Sequence, residues 1–278
     1  MSKKRKTERP DPASLGLPPG GADSHAHLDM EAYDEDRDAV LDRAAAAGVT
    51  RIGQVFLGPA AYRANAAMFA DRPEVFFILG IHPHDATSAT DEALAEVEAA
   101  CREDAAGRAR IRALGEAGLD YYYDLSPRDV QRRAFAAQAE LARGLDLPLV
   151  IHCRDAIYDT LRILMDLGLS RRPVLWHCFG GDADLAGEIL SHGWSISVPG
   201  PVSYRKSDAL RAAVAEIPLD RLLLETDCPF LAAEPWRGKR NEPAFLAFTA
   251  QAAARARGMD PAELWLATGR NAAAFFGV

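Results

Sequence analysis

From residue 22 onward, short apolar runs alternate with longer Ala-, Arg- and Glu-rich stretches of helical period. Eight runs read as strands, at 22–27, 51–57, 75–82, 111–116, 148–152, 173–177, 194–198 and 221–227. Helical spacing fills the intervals at 34–48, 60–70, 91–107, 127–144, 156–168, 183–192 and 203–216. The tail adds a helix at 242–258 and two short pieces at 260–266 and 271–276. Gly48, Gly107, Gly144, Gly168 and Gly258 stand where helix C-caps belong, while Ser126-Pro127 and Asp260-Pro261 look like helix starts. Runs such as 75–79 and 221–224 are continuously apolar, which suits parallel strands covered on both faces. Eight such alternations without a dividing linker predict a single (β/α)₈ barrel, an α/β fold of the TIM-like type. The rival, an open doubly wound sheet, would carry a glycine-rich phosphate loop after the first strand, and none is present.

Charge and composition narrow the class further. The formal net charge is −8, and the first nine residues carry five cations against Glu8, a local +4 that leaves the rest of the chain at −12. A body of that sign does not attract nucleic acid through its general field, so any phosphate must be held by a local cluster. Residues 1–20 are basic and Pro-rich and read as a disordered tail, with 21–278 as a single domain. No apolar run approaches a membrane span, and the four cysteines lack a Cys-x-x-Cys pair, which predicts a cytoplasmic protein without disulfides or membrane contact.

Barrel chemistry gathers at the C-terminal ends of the strands. Six of the seven histidines fall at predicted strand ends; only His192 does not. His25 and His27, two residues apart on a strand, leave the same face and can chelate one ion. Glu116 and Asp227 add anionic oxygens, and His152 and His177 two further imidazoles. Together these are enough donors for two divalent ions sharing a bridging carboxylate. A carboxylated lysine is excluded as the bridge, because no lysine ends a predicted strand, and Glu116 is the best-placed substitute. Cys153, Cys178 and Cys228 each follow a ligand position, and as strand neighbours they face the opposite side.

A second constellation, Trp236-Arg237-Gly238-Lys239-Arg240-Asn241, follows the eighth strand. Arg237, Lys239 and Arg240 supply the local positive cluster, with Arg154 as a further member, and guanidinium groups match phosphate oxygens in a fork. Tyr121-Tyr122-Tyr123, in the loop after Glu116, can stack on bases or pack in a lid.

These residues together resemble the TatD-related metal-dependent deoxyribonucleases. The matching strings are Asp23-Ser24-His25-Ala26-His27-Leu28-Asp29, Gly80-Ile81-His82-Pro83-His84 and Gly115-Glu116-Ala117-Gly118-Leu119-Asp120-Tyr121. They continue through Ile151-His152-Cys153-Arg154-Asp155-Ala156, His177-Cys178-Phe179-Gly180-Gly181, Glu225-Thr226-Asp227-Cys228-Pro229 and Arg237-Gly238-Lys239-Arg240-Asn241-Glu242-Pro243. Ala117 and Gly180 depart from the usual family residues, and neither is a ligand position. The resemblance implies a nuclease active on DNA, typically exonucleolytic. It places His25, His27 and Asp227 on one ion and His152 and His177 on a second, with Glu116 between them and His82 approaching the substrate phosphate.

The expected chemistry is metal-assisted hydrolysis of a phosphodiester, with Asp227 and Glu116 as catalytic residues. The ions bring the pKa of a bound water from about 15.7 toward 7, and Asp227 orients that water and takes its proton. His82, Arg154, Arg237, Lys239 and Arg240 are the expected substrate contacts. A hydrolase of an amide, lactone or small phosphate ester on the same barrel is the alternative; a non-catalytic binding barrel would have lost a ligand. Imidazole-rich ligation suits Zn, Mn, Co or Ni, whereas phosphoryl chemistry often uses Mg, so the sequence leaves the ion open.

Overall fold

The computed structural model describes residues 9–278. Eight parallel strands form one sheet in the order β1 to β8: β1 (Gly21–Ala26), β2 (Val49–Leu57), β3 (Val75–Gly80), β4 (Ile111–Asp120), β5 (Leu149–Arg154), β6 (Val174–Trp176), β7 (Ser195–Val198) and β8 (Leu222–Leu224). Helices α1 (Arg37–Ala46), α2 (Pro59–Asn65), α3 (Asp91–Ala106), α4 (Arg128–Gly144), α5 (Ile157–Asp166), α6 (Ala183–Ser191), α7 (Asp208–Glu216) and α8 (Leu246–Arg257) follow the successive strands, and α9 (Pro261–Phe276) ends the chain.

Two apolar cores explain why the alternation closes into a barrel. The larger lies between strands and helices, with Phe56, Phe69, Phe135, Trp194 and Trp265 fully buried. The smaller draws Ala22, Val55, Phe76, Ile78, Ala113, Val150, Leu175 and Leu223 from seven strands, together with Ala272 and Phe276 of α9. A cluster with members on nearly every strand is the barrel lumen. Phe276 packs on Phe76 at 4.6 Å between ring centroids, so the end of α9 plugs the lumen's lower mouth.

Closure between β1 and β8 is not a regular ladder. A single bridge pairs Ala26 with Cys228; His27 N–H donates to Cys228 O at 2.9 Å and Asp227 N–H to His25 O at 3.0 Å. The buried Asp23 carboxylate completes the seam by accepting the Thr226 backbone N–H at 2.9 Å and the Thr226 hydroxyl at 2.5 Å.

Several sequence expectations are corrected. β4 continues to Asp120 instead of ending at Glu116. Gly118 makes this possible: a Cβ there would sit 1.9 Å from His152 O, so only glycine lets β4 run this close to β5. The stretch at 203–216 is a 3₁₀ turn, Gly200–Ser203, followed by a helix beginning at Asp208. The pieces at 260–266 and 271–276 are one helix, α9, through Gly269. From residue 9 the supposed tail is docked. Arg9 Nε donates to Pro235 O at 2.8 Å, Trp236 Nε1 to Pro10 O at 3.2 Å, and Trp265 Nε1 to Pro18 O at 2.8 Å; residues 12–15 form a 3₁₀ turn capped by Asp11. The part of that expectation covering residues 1–8 lies outside the described residues. No described helix is long and apolar enough to cross a membrane.

Gly269 carries a sharp test of this packing. Alanine raises helix propensity, yet a Cβ at Gly269 would lie 1.9 Å from Gly20 O and force α9 off β1. Gly269→Ala is expected to lower the melting temperature by roughly 2 to 8 °C, measured by circular dichroism; an increase would refute the close approach.

Candidate metal centre

Strand alternation brings most of the polar residues to one place. Val150 and Leu175 face the lumen, and positions two further along, His152 and His177, face the same way at the upper end. Leu223 leads likewise to Glu225 and Asp227, and Ile78 through Gly80 to His82. His25 and Glu116 break this parity. Register shifts in β1 between Asp23 and Ala26, and in β4 between Leu114 and Ala117, turn them inward.

Glu116 stands at the middle. Its Oε2 lies 3.2 Å from His25 Nε2 and 3.8 Å from His27 Nε2; its Oε1 lies 2.6 Å from His152 Nδ1, 2.8 Å from His177 Nε2 and 3.4 Å from His82 Nε2. Asp227 Oδ1 is 3.4 Å from His27 Nε2 and 3.9 Å from His25 Nε2. All six expected ligands are therefore brought together. Three donor sets emerge, each within 4.8 Å: His25, His27 and Asp227; His25, Glu116 and His177; and His82, Glu116 and His152. His82, expected only at the substrate, thus enters the donor cluster itself.

The donor set fits cations. His25 Nε2 and His27 Nε2 face each other at 3.3 Å, and at most one of two imidazole nitrogens so placed can donate while both point at the same carboxylates. The Nδ1 atoms of His25 and His27 are buried without a hydrogen-bond partner among the described residues. Such a concentration of imidazole and carboxylate suits divalent metal, with His25, His27 and Asp227 on one side of Glu116 and His152, His177 and His82 on the other.

Carboxylates behind the imidazoles orient them, and sequence reasoning gave these no role. Asp120 Oδ2 lies 3.0 Å from His152 Nε2 and 2.9 Å from His84 Nε2. Glu225 Oε1 sits 3.3 Å from His177 Nδ1 and accepts the Cys178 N–H at 2.7 Å, while its other oxygen takes the Ser197 hydroxyl. Spacing offered a signal: Glu225 precedes Asp227 by two, on the same face, whereas Asp120 became visible only with the longer β4.

Electrostatics follow from burial and proximity. Burial alone would raise the Glu116 carboxyl, but His177, His82 and the hydrogen bonds from His152 and His177 overcome it and hold Glu116 well below the ordinary range. Asp227 is likewise lowered against its burial by the bond to His27 and the charge of His177. Burial would lower His177, but Glu116 and Glu225 lift it well above the ordinary imidazole value; His152 and His27 are raised in the same sense by their carboxylates. In His25 and His82 burial prevails and the shift is downward. The Cys178 thiol, 3.9 Å from Asp227, is pushed well up by burial and by Asp227, so it stays a neutral thiol.

The expected substrate contacts separate. Arg154 is exposed at the rim, its guanidinium carbon 3.9 Å over the Tyr122 ring. Arg237 lies 4.1 Å over the Tyr204 ring, and both Arg237 and Lys239 are exposed. Arg240 forks onto Asp36 at 2.7 Å through both terminal nitrogens and donates to Ala32 O at 2.6 Å, so a carboxylate of the same chain faces its phosphate-binding edge. Asn241, beside it, fixes the loop by donating to Thr226 O at 2.9 Å and Phe230 O at 2.6 Å.

Comparison with known proteins identifies the family. The family model described as TatD related DNase matches residues 22–277. The chain belongs to that family. It is 39% identical over 255 residues to the uncharacterized metal-dependent hydrolase YabD of Bacillus subtilis (strain 168), covering 91% of this chain and 98% of that protein. It is also 39% identical over 253 residues to the 3'-5' ssDNA/RNA exonuclease TatD of Cronobacter sakazakii, covering 88% and 93%. Among solved structures, the TatD homolog YJJV of Escherichia coli K12 superposes with a TM-score of 0.85 at 28% identity, covering 93% of this chain and 98% of that one.

Two outcomes follow for the centre of this TatD-family chain. Glu225→Gln is expected to weaken metal affinity by roughly 10- to 100-fold without altering the circular dichroism spectrum, measured by chelator competition; unchanged affinity would remove Glu225 as an orienting group. His177, held well above the ordinary imidazole value, and His152 and His27, raised in the same sense, keep their protons to higher pH than a free imidazole and must lose them on ligation. Metal uptake is therefore expected to release protons and to tighten as pH rises. Titration calorimetry in buffers of different ionisation enthalpy checks this, and buffer-independent heats would contradict it.

Proposed function

We propose that this chain is a metal-dependent phosphodiesterase that removes nucleotides from nucleic-acid ends, with two divalent ions held on either side of Glu116. The observation that carries this reading is the division of the Glu116 oxygens, Oε2 toward His25, His27 and Asp227 and Oε1 toward His152, His177 and His82. When bound, divalent ions activate water near neutral pH and neutralise charge building on the phosphate oxygens. Asp227 stays ionised, is partly open to solvent, and is held by His27. It is placed to orient an attacking water and accept its proton. His82 is nearly buried beside Glu116 Oε1 and is placed to meet either an ion or a phosphate oxygen. Arg154, Arg237 and Lys239 supply cations at the rim of a body that is otherwise acidic, so phosphate attraction is local. The naming of relatives such as the Cronobacter sakazakii protein as single-strand DNA and RNA exonucleases supports the same substrate class.

Incubating end-labelled single- and double-stranded DNA across a metal panel, beside small amide, lactone and phosphate esters, tests the reading. Oligonucleotides are expected to be digested and the activity to vanish with a chelator. Glu116→Gln is expected to reduce turnover by at least about 10³-fold, in line with loss of a central electrostatic group, while the protein stays folded. Full activity in that variant would overturn the central role of Glu116, and preferential turnover of a lactone or amide would overturn the substrate class.

A further inference from the structure

Asp120 serves two neighbours at once. While Oδ2 holds His152 and His84, Oδ1 accepts the backbone N–H of Tyr122 at 3.0 Å and of Tyr123 at 2.8 Å. One buried carboxylate therefore sets both a metal donor and the start of the next loop. Asp120 also pairs with Arg154 across β4 and β5, and Tyr121 N–H donates to Arg154 O at 2.9 Å, which brings Arg154 beside the same loop.

The three consecutive tyrosines behave differently. Tyr121 packs: its hydroxyl donates to Asp159 at 2.6 Å and its ring lies under Arg128. Tyr122 and Tyr123 are 59% and 53% exposed. They are nonetheless held, because Arg154 stacks at 3.9 Å from the Tyr122 ring and 4.7 Å from the Tyr123 ring. Tyr123 then meets His84 edge-on at 5.3 Å, and His84 meets His82 at 4.3 Å. A line of rings thus runs from the donor cluster out to solvent. The two rings stand nearly perpendicular, 86° apart, with the Arg154 guanidinium carbon over both, and its N–H groups have no hydrogen-bond or carboxylate partner among the described residues.

We propose that Tyr122, Tyr123 and Arg154 grip one unpaired nucleotide next to the metal centre, an aromatic ring stacking on its base and the Arg154 edge taking an adjoining phosphate. A base presents its π-face to a protein ring only when unpaired and splayed from its neighbours, so the grip selects single-stranded ends over duplex ends. This inference rests on the nuclease reading above and adds the residues that recognise the strand.

The test uses the metal-loaded enzyme and two end-labelled oligonucleotides of one sequence, the second with an abasic residue at the end digested first. The wild type is expected to favour the intact oligonucleotide by about tenfold or more in kcat/KM, mainly through KM. In a Tyr122→Leu/Tyr123→Leu variant that preference is expected to fall below about twofold, and in the Tyr122→Phe/Tyr123→Phe variant, which keeps the rings, to remain. Both positions are exposed, and the Phe pair controls for folding. Undiminished base preference in the Leu pair, or a wild type indifferent to the missing base, overturns the grip alone. Digestion of neither oligonucleotide by the wild type overturns the nuclease reading and the grip with it.

Discussion

A carboxylate buried among imidazoles organises the upper end of this barrel. Glu116 is 3% exposed, yet its two oxygens face five histidines contributed by β1, β5 and the segments following β1, β3 and β6. An isolated anion at that depth would be strongly disfavoured. It persists because positive or positively polarised nitrogens surround it, and each of those nitrogens is disfavoured without it. The cluster is a mutual arrangement, which is why Asp120 and Glu225 stand behind it to set the imidazole planes.

The same end of the fold holds the weakest part of the sheet. Between β1 and β8 the backbone ladder shrinks to one bridge, and side chains take over: Asp23 gathers the backbone and hydroxyl of Thr226, while His25 and His27 share backbone bonds with Asp227 and Cys228. Burial raises the Asp23 carboxyl to about 7 against those hydrogen bonds. Closure and ligand placement are therefore one event, and the donors of the two terminal strands meet only once the chain has come full circle. The opposite mouth is plugged by apolar groups of α9, so packing and chemistry occupy separate ends, as the layered design of such barrels requires.

Rim electrostatics show how position decides the use of a charge. Arg237, Lys239 and Arg240 are near neighbours in sequence and all exposed, but Asp36 pairs with Arg240 whereas the other two have no carboxylate partner among the described residues. Arg154, alone in its segment, lies over two tyrosine rings and has no carboxylate partner among the described residues. On a chain whose body is acidic, these few cations rather than the net field define where a phosphate can rest.

Much of this was legible in the residues themselves. Periodicity alone marks eight strands and their covering helices, because a strand buried on both faces must be continuously apolar and a covering helix must repeat at its own period. Alternation by two also predicts that His152, His177 and Asp227 share the lumen face. Other features depend on contacts between groups far apart in the chain, which no local pattern encodes. The extension of β4 past Glu116 needs Gly118 against His152, the continuity of α9 needs Gly269 against Gly20, and the docking of residues 9–20 needs Trp236 and Trp265. Residue type and spacing were enough to give the eight strands, the helix after each of them and the supply of metal donors. Which oxygen faces which imidazole, which arginine lacks a carboxylate partner and which tyrosines stand open follow from the folded arrangement, since each depends on distances set when the barrel closes.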